Sequence, residues 1–131
     1  MPDPSTYDYA VIRVVPRVER EEFVNVGVIV SCPQRGFLEC RIELAEARVR
    51  ALDPAVDMDA VRRYLEIIPL ICRGGAAAGA IGKLPARERF HWLIAPRSTI
   101  IQVSPSHTGR CTDPPALLEH LMATMVRPAI A

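Results

Sequence analysis

Apolar residues recur at strand spacing in two runs near the start of the chain. In residues 7–15 (YDYAVIRVV), Ala10, Ile12 and Val14 share one face, while Tyr7, Tyr9, Val11 and Val15 share the other with Arg13. β-Branched and aromatic side chains suit a pleated surface, and apolar groups on both faces imply a central strand or one covered twice. In residues 23–32 (FVNVGVIVSC), Val24, Val26, Val28, Val30 and Cys32 alternate on one face against Phe23, Asn25, Gly27, Ile29 and Ser31. That period of two is the signature of a strand. Turn residues 33–36 (PQRG) follow. Residues 37–44 then alternate with Leu38, Cys40, Ile42 and Leu44 inward. A hairpin centred near Gly36 sets Cys40 opposite Cys32, as two buried thiols rather than a disulfide.

The period then lengthens. Across 57–73, Met58, Val61, Leu65, Ile68 and Cys72 recur at spacings of three and four, with Asp59, Arg62, Arg63 and Glu66 opposite, which predicts an amphipathic helix. Asp57 suits its N-cap and Arg73 with Gly74 its end. Pro69 is expected to kink it, because the ring clashes with the carbonyl four residues back. A short helix over 45–52 precedes it, and the small residues 74–82 read as a flexible connection. The GlyLys at 82–83 is no phosphate loop, since that register puts Ala77 at the first glycine and Leu84 at the hydroxyl. Residues 85–95 read as a short helix with proline in its first turn, or alternatively as a strand from Phe90. A fourth strand over 99–104 lies between Pro96 and Pro105. Asp113 caps a last helix, with Pro114 at its first position and Leu117, Leu118, Leu121, Met122 and Met125 as its stripe.

These elements predict a single α+β domain over 1–131, with 1–6 a flexible lead-in. A mostly antiparallel four-stranded sheet is built from 7–15, 23–32, 37–44 and 99–104, and helices 57–73 and 114–127 pack on one face.

Composition narrows the function classes. In 131 residues, half are apolar and 24% charged, and 16 Lys+Arg against 15 Asp+Glu give a formal charge of +1. That balance implies no general attraction to nucleic acid or to membrane. Fifteen of the 16 cations are arginine, Lys83 being the sole lysine; arginine forks phosphate and carboxylate well, although a GC-rich genome also enriches it. No apolar run approaches the roughly 18 residues that a membrane span needs. The start lacks the basic and apolar regions of a secretory signal, so a cytoplasmic location with four reduced cysteines is expected.

The densest polar chemistry lies in 89–109 (RFHWLIAPRSTIIQVSPSHTG), which holds the only tryptophan and two of the three histidines. Arg97, Ser98 and Thr99 offer a guanidinium and two hydroxyls at a strand start. Residues 106–109, with Ser106, His107 and Thr108, can present backbone N–H groups in a turn. Asn25 and Gly27 are added, since glycine inside a strand marks a bulge or a close approach. Together these residues suit a phosphate-bearing ligand or a partner, provided that Asn25 and Gly27 lie near Arg97. Ser–His catalysis lacks both a nucleophile elbow and an acid partner. His107 and Cys111, four apart, match no zinc spacing. No catalytic residue, cofactor or metal is therefore assigned; the alternative is a small phosphoester-directed hydrolase, or an anion- or nucleotide-binding protein, using the Arg97 to His107 stretch.

Three segments, 7–16 (YDYAVIRVVP), 22–29 (EFVNVGVI) and 89–109, resemble a bacterial family of small proteins of unknown function. The resemblance spans nearly the whole chain and implies no catalytic residue. It does imply a setting, since such proteins are often encoded beside a HipA-like serine/threonine kinase. A non-enzymatic interaction or accessory role follows, antitoxin-like in character, with the partner a second copy or that kinase.

Because Val26 lies in the most apolar strand, Val26→Asp is expected to abolish cooperative unfolding in circular dichroism, an unpaired charge having no tolerable place there.

Overall fold

The computed structural model describes residues 3–97 and 99–128. The strands are β1 (Ser5–Val14), β2 (Val24–Cys32), β3 (Phe37–Ile42), β4 (Ile101–Val103) and β5 (His107–Cys111). The helices are α1 (Glu46–Leu52), α2 (Met58–Arg73), α3 (Ala86–Ile94) and α4 (Pro114–Leu121), the last widening into a π-helical turn over Met122–Val126. The architecture is α+β with an antiparallel sheet, as the periodicity implies. β1 is central: β2 pairs along one edge, with β3 outside it, while β4 and β5 share the other edge end to end.

β5 is the strand beyond the four expected. Residues 106–109 were expected to form a turn, but from His107 onward their backbone joins the ladder of β1, from Tyr9↔His107 to Ser5↔Cys111. Pro105 interrupts this edge, having no N–H to give. Ser104 repairs the break: its N–H donates to the Val11 carbonyl at 2.8 Å, and its hydroxyl accepts from the Val11 N–H at 2.8 Å. Gly109 in β5 has a steric reason of its own, since the Tyr7 ring occupies the space that a Cβ there would need.

The helices divide between the two faces of the sheet, where the sequence pattern suggested one. The cause is a bulge in β2. Ile12 pairs with Gly27 but Arg13 pairs with Asn25, so Val26 has no partner on β1, and the alternation changes phase there. Val24 and Val26 therefore join Ile12, Val14 and Ile29 beneath α2 and α3, whereas Val28 and Val30 pack against Leu118, Leu121, Met122 and Val126 on the far side. The valines expected on one face thus serve two cores. Gly27 beside the bulge is required by crowding: a Cβ would sit 2.6 Å from the Arg41 carbonyl oxygen and 3.0 Å from Ile12 Cδ1.

Asp57 caps α2 by accepting from the Ala60 N–H at 3.1 Å, and Asp113 caps α4 through the Ala116 N–H at 3.2 Å. α2 runs on through Pro69 to Arg73. Residues 85–95 take the helical alternative. The 74–82 connection folds into two 3-10 turns closed by Gly75 N–H to the Gly82 carbonyl at 2.9 Å. Cys40 pairs with Ile29, not Cys32, and its thiol meets that of Cys72 on α2. The hydrogen bond from Cys72 pulls the Cys40 thiol below its ordinary range, while that contact and burial push Cys72 up.

Ser104→Ala is expected to leave the buried Val11 N–H without a partner. It should lower the stability read by urea unfolding by about 1–3 kcal/mol, a loss well beyond that of an ordinary exposed serine.

Candidate functional site

The residues singled out in the sequence do not form one pocket. Asn25 turns toward the π-helical turn after α4, its Nδ2 donating to the Met125 carbonyl at 3.1 Å; among the described residues its buried Oδ1 finds no partner, nor does Nε of Arg13 directly across the ladder. Gly27 is packed between β1 and β3. His107 lies on the same side as Asn25, its ring 5.2 Å from Tyr9. Thr108 points to the opposite face and donates to Asp8 Oδ1 at 2.5 Å. Ser106 is exposed, and Ser98 lies outside the described residues. Among the described candidates, Arg97 and Thr99 share one groove.

They line a groove of about 340 Å³ between α2, α3 and the strand edge. α2 contributes Tyr64, Ile67, Ile68 and Ile71, α3 contributes Trp92 and Leu93, and Ile100, Ile101 and Val103 complete the wall. Among the described residues, Arg97 is the one charged residue in that lining. Its guanidinium lies 4.3 Å from the centre of the Trp92 ring, and it donates to the carbonyls of Trp92 at 2.7 Å, Leu93 at 3.1 Å and Ala95 at 3.3 Å. Arg97 thus caps the C-terminal end of α3, where unpaired carbonyls favour a cation. Thr99 is also engaged, its hydroxyl donating to the Ile101 carbonyl at 2.7 Å. Trp92 is 39% exposed at the mouth, so its ring is open to solvent and not part of the core.

Tyr64, Ile67 and Ile71 carried no functional reading in the sequence. The signal was present, because α2 bears more apolar positions than one stripe needs: Ile71 is buried with the inward stripe, while Tyr64 and Ile67 fall beside it. Periodicity marks such an excess without showing what lies opposite it.

A second polar cluster lies on the α3 side of the sheet at the other end of β1. Arg87 donates to Asp8 Oδ2 at 2.6 Å and to the Ser31 hydroxyl at 3.0 Å, and Ser31, Asp8 and Thr108 stand in one row across three strands. Burial opposes ionisation of Asp8, but hydrogen bonds from Thr108 and Arg87, with the charge of Arg87 behind them, outweigh it. The carboxyl is held below its ordinary range. Among the described residues, no three His, Cys, Asp or Glu side chains converge as metal ligands, and no helix is long and apolar enough to cross a membrane.

A family model described as a protein of unknown function, DUF3037, matches residues 9–126. The chain belongs to the DUF3037 family. No curated protein and no solved structure matches it. The matched span of this DUF3037 member contains every residue lining the groove, as well as Arg87 and Thr108, and all but Asp8 of the polar row.

The folded carboxyl of Asp8 ionises below its unfolded value, so its stabilisation is present above the unfolded carboxylate range, near pH 3.9. It is lost as pH falls through the folded value. Asp8→Asn is expected to cost about 1–2 kcal/mol at pH 7. In thermal unfolding across pH, the gap to wild type should close in acid.

Proposed function

We propose that this chain is a non-enzymatic binding module, a cytoplasmic accessory protein that docks a protein partner over the mouth of the groove. The observation that carries the reading is the apolar rim. Tyr64 is 53% exposed, Ile67 46% and Trp92 39%, and all three surround one concavity. Exposed apolar side chains scattered singly need no explanation, but a cluster of large ones around a groove marks an interaction surface. Aromatic side chains at such a rim are frequent energetic anchors. The resemblance to proteins encoded beside HipA-like serine/threonine kinases supplies the partner: a kinase of that type, with this chain as its antitoxin-like accessory.

Phosphoester chemistry by Arg97 and His107 together has less support. Arg97 belongs to the groove on the α2 side, whereas the His107 ring lies against Tyr9 on the α4 side. Arg97 is also bonded to three carbonyls.

Ile67→Glu places a charge on the rim at a half-exposed position, so the melting temperature should barely change. Calorimetry with the purified neighbouring kinase should show affinity weakened by roughly thirtyfold, the scale of an interface hot spot. Undiminished binding by Ile67→Glu would reject the groove as the docking surface. Absence of any complex, either with the kinase or between copies in light scattering, would reject the module reading itself.

A further inference from the structure

We infer that the groove is also a ligand site, and that its ligand is a small amphipathic monocarboxylate: an aliphatic chain or a ring bearing one carboxyl group. The volume, about 340 Å³, falls at the lower end of the range for small-molecule pockets, which run from roughly 300 to 1,000 Å³. The walls are those of such a pocket, apolar and aromatic side chains from two helices and a strand with few polar groups among them.

The polar groups restrict the chemistry. Among the described residues, the single formal charge in the lining is positive. Arg97 is held in place before any ligand arrives, by the Trp92 ring beneath it and by the carbonyls of Trp92, Leu93 and Ala95. Those three bonds leave part of the guanidinium's set of five N–H donors unspent. Arg87 and Arg127 are neutralised by carboxylates, but Arg97 pairs with none among the described residues. A carboxylate on its free donors would form a charge-assisted hydrogen bond beside apolar walls, where such bonds are strong. Thr99 adds no donor, because its proton is committed to Ile101.

A single cation among the described lining residues favours a monoanion, with the Tyr64 hydroxyl and the Trp92 indole N–H as neutral donors beside it. A phosphate dianion would carry a surplus charge into apolar surroundings, since one arginine balances only one of its two charges. The carboxylate therefore replaces the phosphate-bearing ligand expected from the serine and threonine content of 97–109. The mouth of this pocket is the rim assigned above to partner docking, so an occupied groove would compete with the partner. That regulatory consequence rests on the docking proposal; the ligand site does not.

Trp92 is the sole tryptophan and lines the groove, so its fluorescence reports occupancy directly. The full chain would be titrated with octanoate and with octanamide, which share the apolar body and differ in charge. Octanoate should give a saturable change in emission with at least tenfold higher affinity than octanamide, and the advantage should shrink as salt rises. Arg97→Gln should weaken octanoate about tenfold, toward the affinity of octanamide, and change octanamide much less. If that variant melts early, Ile67→Glu serves instead, its carboxylate at the mouth weakening octanoate more than octanamide. No saturable change with either probe, or equal affinities in the wild type, would overturn the inference. Octanoate binding without any kinase complex would leave the ligand site standing and remove only the docking role; a kinase complex without octanoate binding would do the reverse.

Discussion

The phase change at Val26 is the constraint on which the rest of the molecule depends. One unpaired residue in β2, opposite the step from Ile12 to Arg13, sends Val24 and Val26 to one core and Val28 and Val30 to the other. A strand with both faces buried can then hold α2 and α3 above the sheet and α4 below it. The device works only because Gly27 lets β1 and β3 close in around the bulge. Its consequences reach the surface. Asn25 is turned toward the π-helical turn after α4, and the groove on the opposite face is left to α2, α3 and the β4 edge alone.

Arginine does much of the remaining structural work. Arg89 donates to the carbonyls of Ile71, Cys72 and Leu84, and so ties the end of α2 to the loop before α3. Arg48 reaches the Val126 carbonyl, and Arg127 joins Glu43 of the segment after β3 to Glu119 of α4. A planar fork that never loses its charge suits this use, because it can satisfy two carbonyls at a helix end where lysine would reach one. The high arginine content therefore has a structural use and need not signal nucleic acid or phosphate. Arg97 does the same at the end of α3, but it does so inside an apolar groove and, among the described residues, without a carboxylate beside it. That combination separates it from the other pinning arginines and gives the groove its electrostatic character.

The groove is also where the fold leaves large apolar side chains uncovered. Tyr64, Ile67 and Trp92 are large apolar side chains that the fold does not bury, although packing them inward would have been favourable at about 25 cal/mol per Å². Leu65, Ile68 and Phe90, their neighbours in sequence, are buried. The helices are thus apolar on more of their circumference than the core consumes.

Local chemistry in the sequence determined the element types, the caps at Asp57 and Asp113 and the inward stripes of α2 and α4, because those depend on residues within a turn or two of one another. The apolar excess on α2 and the polar density of 97–109 were equally legible. Tertiary structure decided where they point. Whether Val26 and Val28 face the same core depends on which residue of β1 each opposes, and side-chain alternation within β2 cannot reveal a skipped partner. Residues 107–111 are too polar to read as a strand; they become one because β1 offers an unpaired edge and Ser104 carries the ladder past Pro105. Arg97 and His107 are ten positions apart, yet they lie on opposite faces. Their separation was fixed by the strand register at Tyr9, a contact nearly a hundred residues away in the chain.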